Sequence, residues 1–166
     1  MVCTLCLWLS ASAFAEQYLS QSDFLAQTLG AQHSAQVLWL SAELRNKLKD
    51  DLNYVPQGAR LRYWQAEQKR AWILDEIGRD EPITMGFVIE HNQITQLRIL
   101  EFRESRGYEV RYPRFTEQFS AIHLDNKRSL SQSIDNITGA TLSVNAVKKA
   151  AKLALYLNEQ VELSSQ

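Results

Sequence analysis

Residues 69–103 read KRAWILDEIGRDEPITMGFVIEHNQITQLRILEFR, and they carry the main fold signal of the chain. Three runs within this segment are rich in aromatic and β-branched residues, which favour extended backbone. Each run has the length of a strand, and polar residues separate it from the next run. The segment therefore predicts three consecutive β-strands, over 69–77, 83–90 and 93–103.

The connections between these strands indicate an antiparallel arrangement. Residues 78–82 form a polar turn, and the pair His91-Asn92 has the length and composition of a tight hairpin turn. Residues 60–64 predict one more strand directly upstream. Together these segments predict an antiparallel sheet of about four or more strands with one polar face.

Helices are predicted on both sides of this sheet region. Apolar spacing predicts a helix within 16 to about 35, with Gly30 as a candidate stop, and Ser41 is a suitable N-cap for a second helix that ends near Leu52. A short helix is expected over 114–121. The clearest helix runs from Ser143 to about Glu159, with inward positions at Val144, Val147, Ala151, Ala154 and Leu155. The fold class is α+β, with the helices packed on the sheet.

The amino terminus reads as a targeting segment. Residues 2–15 carry no charge, and they end in Ala13-Phe14-Ala15, which suits signal peptidase. We therefore expect residues 1–15 to be a secretion signal; a buried N-terminal helix is the alternative. Cys3 and Cys6 both lie inside it, so the rest of the chain has no thiol for a disulfide, a metal site or a nucleophile.

The expected organisation is this signal, an N-terminal helical segment over 16–58 and one main domain over 59–160. Composition and the lack of certain motifs argue against several classes of function for this chain. The chain has 18 Lys and Arg against 19 Asp and Glu, which argues against a nucleic-acid partner. Its three histidines, His33, His91 and His123, lack metal-ligand spacing, and the sequence has no hydrolase or nucleoside-triphosphatase motif.

The segment that carries chemistry is 135–143, DNITGATLS, directly before the last helix. Gly139 allows the backbone to approach a ligand closely, and a helix N-terminus offers N–H groups and positive potential. This combination suits a phosphate group, whereas the alternative is an ordinary helix cap after a turn. Asp135 could orient a hydroxyl or help hold a divalent cation. The hydroxyls of the segment belong to Thr138, Thr141 and Ser143.

This segment also carries a resemblance to a known family. The pattern Asp-x-x-Ser/Thr-Gly-Ala-Thr is matched by Asp135, Thr138, Gly139, Ala140 and Thr141. It resembles the flavinylation motif of the FMN-binding domain family, which includes the soluble flavin-carrying subunits of the sodium-pumping quinone reductase and of the Rnf complex. The resemblance covers roughly 60–158, and more weakly the preceding helices.

The resemblance implies a covalently attached cofactor. In the family, a flavin transferase takes FMN from FAD, with Mg²⁺, and joins its phosphate to the last Thr of the motif, here Thr141. Thr138, Gly139 and Ala140 would form the recognition turn, and Asp135 would be the motif acid. Ser143 would lie beside the phosphate at the start of the helix.

The family also has a Glu-Thr-Pro-Gly-like loop after the main strands. Its nearest counterpart here is residues 104–107, in which Glu104 and Gly107 match while Ser105 and Arg106 differ. Glu104 is therefore a candidate cofactor-binding residue. Phe115 and Phe119 resemble the family's short Phe-containing helix, either as core or as ring contacts.

Other side chains have both structural and functional interpretations. Three tryptophans could stack on a flavin, although each is more often a core residue. The lysines of the last helix predict a solvated face, with docking to an acidic partner as the alternative. These two sets are Trp39, Trp64 and Trp72, and Lys148, Lys149 and Lys152.

The function expected from this resemblance is that of an extracytoplasmic electron-transfer relay with FMN on Thr141, rather than an enzyme with its own substrate. Its partners would be a flavin transferase and membrane or periplasmic redox proteins. It would lie in the periplasm, with association with the inner membrane left open. The alternatives are a flavin-dependent reductase for a small extracytoplasmic acceptor, and a flavin-free binding module of the same fold.

Overall fold

The computed structural model describes residues 16–164, so the predicted signal and both cysteines lie outside the described residues. Within these residues one antiparallel sheet has the strand order β1-β6-β5-β4-β3-β2. Its strands are β1 (Glu16–Gln17), β2 (Ser34–Trp39), β3 (Arg60–Ala66), β4 (Lys69–Ile77), β5 (Pro82–Glu90) and β6 (Gln93–Phe102). The helices are α1 (Gln21–Leu29), α2 (Ala42–Leu52), α3 (Pro113–Thr116) and α4 (Thr141–Ser164), with 3-10 turns at Tyr108–Arg111 and Glu117–Phe119. The predicted α+β class is confirmed.

The centre of the sheet is the pair of hairpins predicted from residues 69–103. β4 has the predicted bounds, and β5 and β6 differ from theirs by one residue at one end. His91 and Asn92 both have positive φ angles, 51° and 58°. Positive φ at both central residues is the requirement of a type I′ turn, whose twist suits adjacent antiparallel strands.

The N-terminal region differs from the single helix predicted within 16–35. β1 pairs with β6 at one edge of the sheet, and β2 pairs with β3 at the other. Only α1 between them is helical, and it ends at Gly30, whose φ is 78°. The helical spacing therefore corresponds to a shorter helix, and the sheet continues across the predicted boundary at residue 58.

The two halves of the sheet separate between β3 and β4. β3 pairs with β2 along its length, but it pairs with β4 only over Tyr63–Ala66. Farther along, residues 60–62 and 73–77 diverge. A cavity of about 430 Å³ lies at this opening, and its walls include Tyr54, Leu61 and Glu76.

Both faces of the sheet carry a core. α4 covers one face, and all five of its predicted inward residues are buried. The second face is not uniformly polar as predicted, because α1 covers its centre with Phe24 and Leu25. α4 begins at Thr141, two residues before the predicted start, and the predicted helix over 114–121 is divided between α3 and the following 3-10 turn.

Candidate functional site

Thr141 is the first residue of α4, and its side chain is exposed. The carbonyl of Ala140 accepts the first helical hydrogen bond, from the N–H of Val144 at 2.9 Å. Asn136 Nδ2 donates to Thr141 Oγ1 at 3.2 Å. The motif therefore places a solvent-accessible hydroxyl at a helix start, with one amide orienting it.

The turn before Thr141 is open on its outer side. Gly139 has a φ of 84°, and no atom lies within 4 Å of the position that a Cβ would occupy there. The N–H of Ala140 donates to the carbonyl of Ile137 at 2.9 Å, which closes the turn. Thr138, Gly139 and Asp135 are exposed, whereas Ala140 is buried.

The start of α4 has unused backbone donors. Among residues 16–164, no protein acceptor is within hydrogen-bond distance of the N–H groups of Thr141, Leu142 and Ser143. The first N–H groups of a helix have no partner inside the helix, and they lie at the positive end of its dipole. These donors therefore provide a position for an anion beside the Thr141 hydroxyl.

Ser143 faces inward and packs against the loop over 104–107. It is 4% exposed. Gly107 has a φ of 87°, and a Cβ at that position would lie 2.2 Å from Ser143 Oγ. This close approach requires glycine and fixes the 104–107 loop against the first turn of α4.

Glu104 holds the turn between β4 and β5. Its Oε1 accepts hydrogen bonds from the backbone N–H groups of Arg79, Asp80 at 2.7 Å and Glu81 at 3.0 Å. Charge-assisted hydrogen bonds to a carboxylate are stronger than neutral ones. Glu104 thereby ties this turn, and Arg79 with it, to the loop beside the motif.

Two cavities flank the motif. The smaller has a volume of about 220 Å³ and is lined by residues 139–143 together with Arg79, Glu104, Ser105 and Arg106. The larger has a volume of about 660 Å³ and is lined by residues 135–138 together with Glu109, Tyr112, Arg114, Phe115 and Gln118. Asn136 lines the larger cavity and bonds to Thr141, so one side chain joins this cavity to the hydroxyl.

Glu109, on the wall of the larger cavity, has one unsatisfied side-chain oxygen. Glu109 Oε2 is buried and has no hydrogen-bond partner among the described residues. Gln118 Oε1, on the same wall, accepts from the N–H of Asp135 at 2.8 Å. An orphaned carboxylate oxygen carries an uncompensated desolvation cost inside a protein, and Glu109 Oε2 is buried away from the cavity surface.

Of the aromatic residues that were candidates for contact with the flavin ring, only Phe115 lines one of the two cavities. Phe115 and Phe119 are buried and pack edge to face with ring centroids 5.5 Å apart, and Phe115 also lines the larger cavity. None of the three candidate tryptophans lines either cavity: Trp64 and Trp72 are core residues, and Trp39 is exposed on β2 at the sheet edge.

One lysine of the predicted solvated face of α4, Lys149, makes specific contacts with other parts of the fold. Lys149 Nζ lies 2.9 Å from Glu76 Oε1 and 3.8 Å from the ring centroid of Tyr54. Burial, followed by the nearby Glu76 carboxylate, raises the pKa of Tyr54 to about 12. Lys149 therefore joins α4 to β4 and to the chain after α2.

Sequence reasoning missed Arg79, Glu109 and Gln118, which reach the site from the β4–β5 turn and the 3-10 turns. None of them belongs to a local motif. In the part of the chain that the structure describes, no group of three or more His, Asp or Glu side chains could hold a metal ion. No helix in residues 16–164 combines the length and hydropathy needed to cross a membrane.

Comparison with known proteins identifies the family of this region. Neither the curated proteins nor the solved structures gave a match to the chain. Residues 78–156 match the family model of the FMN-binding domain. The matched span includes Glu104, Thr141 and all the residues that line the two cavities. This match supports a flavin-binding protein, and it is to the same family whose motif residues 135–141 resemble.

Proposed function

We propose that this protein carries FMN joined by a phosphoester to Thr141 Oγ1 and acts as an extracytoplasmic electron-transfer relay. The observation that carries the proposal is the exposed Thr141 hydroxyl, which lies at unused helix N–H groups between two cavities. Other hydroxyls of the motif have less suitable positions: Ser143 is buried against Gly107, and Thr138 precedes the helix.

The attachment step is a phosphoryl-group transfer to Thr141. In this proposal, Thr141 Oγ1 attacks the FMN phosphorus of FAD within a flavin transferase that holds Mg²⁺. The new Oγ1–P bond replaces the P–O bond to AMP, AMP leaves, and a base takes the hydroxyl proton. Asp135, Thr138, Gly139 and Ala140 would be the surface that the transferase recognises. The step needs no lowered pKa at Thr141 if the transferase supplies the activation.

The smaller cavity fits the phosphate. The N–H groups at the start of α4 would donate to its oxygens, and Arg79 and Arg106 add positive charge to the same wall. Glu104 would contribute through Arg79, because its carboxylate fixes the turn that carries this residue. Ser143 would shape the cavity floor.

The larger cavity fits the flavin ring. It begins at Asn136, next to the attachment oxygen, and Tyr112 and Phe115 provide aromatic walls. The bound FMN supplies the redox chemistry, while these side chains position the ring and tune its environment.

An extracytoplasmic location follows from the expected secretion signal over residues 1–15. A covalent bond suits such a carrier, because an exported protein cannot recover a dissociated flavin from the cytoplasm. Its electron donor and acceptor would be membrane or periplasmic redox proteins.

The experiment is co-expression of the full chain with a flavin transferase. We expect the wild type to gain the mass of FMN minus water and to fluoresce in a denaturing gel. Thr141→Ala should lose both signals, and Thr141→Ser should retain them because it keeps the hydroxyl. Ser133→Ala, at an exposed hydroxyl just before the motif, is the matched control, and we expect it to retain covalent flavin.

Covalent flavin on Thr141→Ala would overturn the assignment of the residue. A colourless wild type after co-expression would favour the flavin-free binding module. The reductase alternative has one supporting observation, the large cavity beside Thr141, which could admit an acceptor. Steady-state turnover of a small acceptor by the purified flavoprotein would favour it over the relay.

A further inference from the structure

Among residues 16–164, the outer edge of the sheet at β2 lacks the usual protection against strand pairing. β2 is the last strand in the sheet order and contains no charged residue and no proline. Val37 is 43% exposed and Trp39 is 63% exposed. Natural edge strands are normally blunted by charges, prolines, bulges or a covering element, because an open edge is a template for another strand.

The backbone groups that face this open edge can be identified. The N–H of Leu40 donates to the carbonyl of Ala59 at 2.9 Å, in register with the β2–β3 ladder. Because hydrogen-bonded pairs alternate along an antiparallel ladder, Leu38 and Gln36 also face β3. The N–H and C=O groups of Ala35 and Val37 and the N–H of Trp39 therefore face outward, while the C=O of Trp39 already accepts from the N–H of Ser41 at 3.1 Å and keeps one lone pair for a second donor.

The same three residues place their side chains on one face. Ala35 is opposite Trp64 on β3, and Trp64 packs against α1, so this is the α1 side of the sheet. Side chains alternate between faces, so Val37 and Trp39 lie on the α1 side as well. Unpaired backbone groups and exposed side chains thus coincide on Ala35 and Val37, and on Trp39 for its N–H.

We propose that β2 pairs with β2 of a second copy of this chain to form a symmetric dimer. A two-fold axis perpendicular to the sheet at Val37 places Val37 opposite Val37, and Ala35 opposite Trp39, in both directions. Each of these pairs is a hydrogen-bonded pair of an antiparallel ladder. The two sheets then become continuous across the interface, and their exposed apolar side chains cover one another.

Charge makes a second copy a suitable partner. β2 is uncharged, so the symmetric pairing brings no like charges directly opposite one another. The nearest cations on this face are Arg60 and Arg62 of β3. The backbones of the two β3 strands would lie three strand spacings apart, about 14 Å, which exceeds the screening length of about 8 Å in physiological salt. Arg60 also lies over the ring of Trp39, 5.8 Å from its centroid.

The dimer is expected to be reversible. A single strand pair with its flanking side chains buries less surface than the interfaces of stable complexes, which start near about 1,200 Å². Its dissociation constant should therefore fall in a range that dilution can reach. Sedimentation equilibrium of the wild-type chain over a dilution series should give a monomer–dimer isotherm.

Substitution at the two-fold axis tests the register. Val37→Lys and Val37→Glu each place like charges directly opposite one another, so each alone should raise the dissociation constant about tenfold or more. An equimolar mixture of the two variants should recover dimerisation as a heterodimer, because the ammonium group introduced in one copy would then face the carboxylate introduced in the other.

Leu163→Lys is the matched control. Leu163 is a 65% exposed apolar residue on α4, away from the sheet edge, and its substitution should leave the dissociation constant unchanged. Circular dichroism of each variant checks that it folds. A wild type that stays monomeric at its highest soluble concentration would overturn the proposal, as would a mixture of the two Val37 variants no more dimeric than either variant alone.

Discussion

Gly107 is the residue on which the shape of the site depends most directly. Its φ of 87° and its contact with Ser143 Oγ leave no room for a side chain. This contact fixes the position of the 104–107 loop relative to the first turn of α4. Gly107 therefore constrains the position of the helix start that carries Thr141, although Gly107 itself lines neither cavity.

Gly107→Ala should lower the free energy of unfolding by about 2–4 kcal/mol, because it combines left-handed backbone strain with a steric clash. Gly139→Ala is the matched control: its φ of 84° is similar, but no atom lies within 4 Å of its Cβ position. That variant should lose only about 1–2 kcal/mol. Urea denaturation measures both, and equal losses would contradict the packing argument.

For individual residues, the sequence predicted the motif but not the residues that the fold brings close to it. Thr141 and Gly139 were predictable because they lie in one contiguous pattern that ends in a helix. Glu109 and Arg79 were not, because their part in the site comes from the folded chain bringing distant segments together. Glu104 was predicted as a cofactor contact, and the structure gives its Oε1 to three backbone N–H groups of the β4–β5 turn.

Among the elements, α1 depends on one close contact with the sheet. Phe24 is fully buried over β5, where a Cβ on Gly86 would lie 2.5 Å from Phe24 Cζ. The missing side chain at Gly86 creates the space that the ring of Phe24 fills. At this point the large side chain of Phe24 on the helix packs against a sheet residue that has no side chain, Gly86.

A double-mutant cycle tests this match. Gly86→Ala should cost about 1–3 kcal/mol through overpacking, and Phe24→Ala about 3–5 kcal/mol through the cavity it leaves. In the Phe24→Ala background, Gly86→Ala should cost at least about 1 kcal/mol less than in the wild type, because the clash is gone. Chemical denaturation of the four proteins gives the coupling, and strict additivity would refute the contact.

The strands also differ in how strongly the local sequence predicts them. β4 was predicted with its observed bounds, because its residues carry a strong local preference and polar turns bound it. β2 was missed because SAQVLW has little strand signal by itself. Its extended form comes from pairing with β3 across a gap of twenty residues, and such non-local pairing leaves no short-range pattern.

At the scale of the whole molecule, Tyr54 connects three parts of the fold. It follows α2, lines the opening between β3 and β4, and packs under Lys149 of α4. Burial and the Glu76 carboxylate raise its pKa to about 12, against about 10 in an unfolded chain. The folded protein therefore retains the phenol proton more strongly than the unfolded chain does.

Stability should consequently fall as the pH rises from about 10 to about 12, because only the unfolded chain releases this proton over that range. Tyr54→Phe should show a smaller fall, measured as the change in urea midpoint between neutral and alkaline pH. Tyr108→Phe, at an exposed tyrosine, is the control and should follow the wild type. A Tyr54→Phe profile that parallels the wild type would contradict the assignment.

The separation of β3 from β4 has a consequence for how the native state opens. β2 and β3 are joined to the rest of the sheet by only four residue pairs, Tyr63–Ala66 with Lys69–Trp72. Opening this short ladder exposes little apolar surface compared with opening β4, β5 and β6. Amide protons of the β2–β3 ribbon should thus exchange with solvent through a local opening, while those of the central hairpins exchange only through global unfolding. The half of the sheet next to residues 135–143 can therefore stay intact while the opposite edge opens and closes.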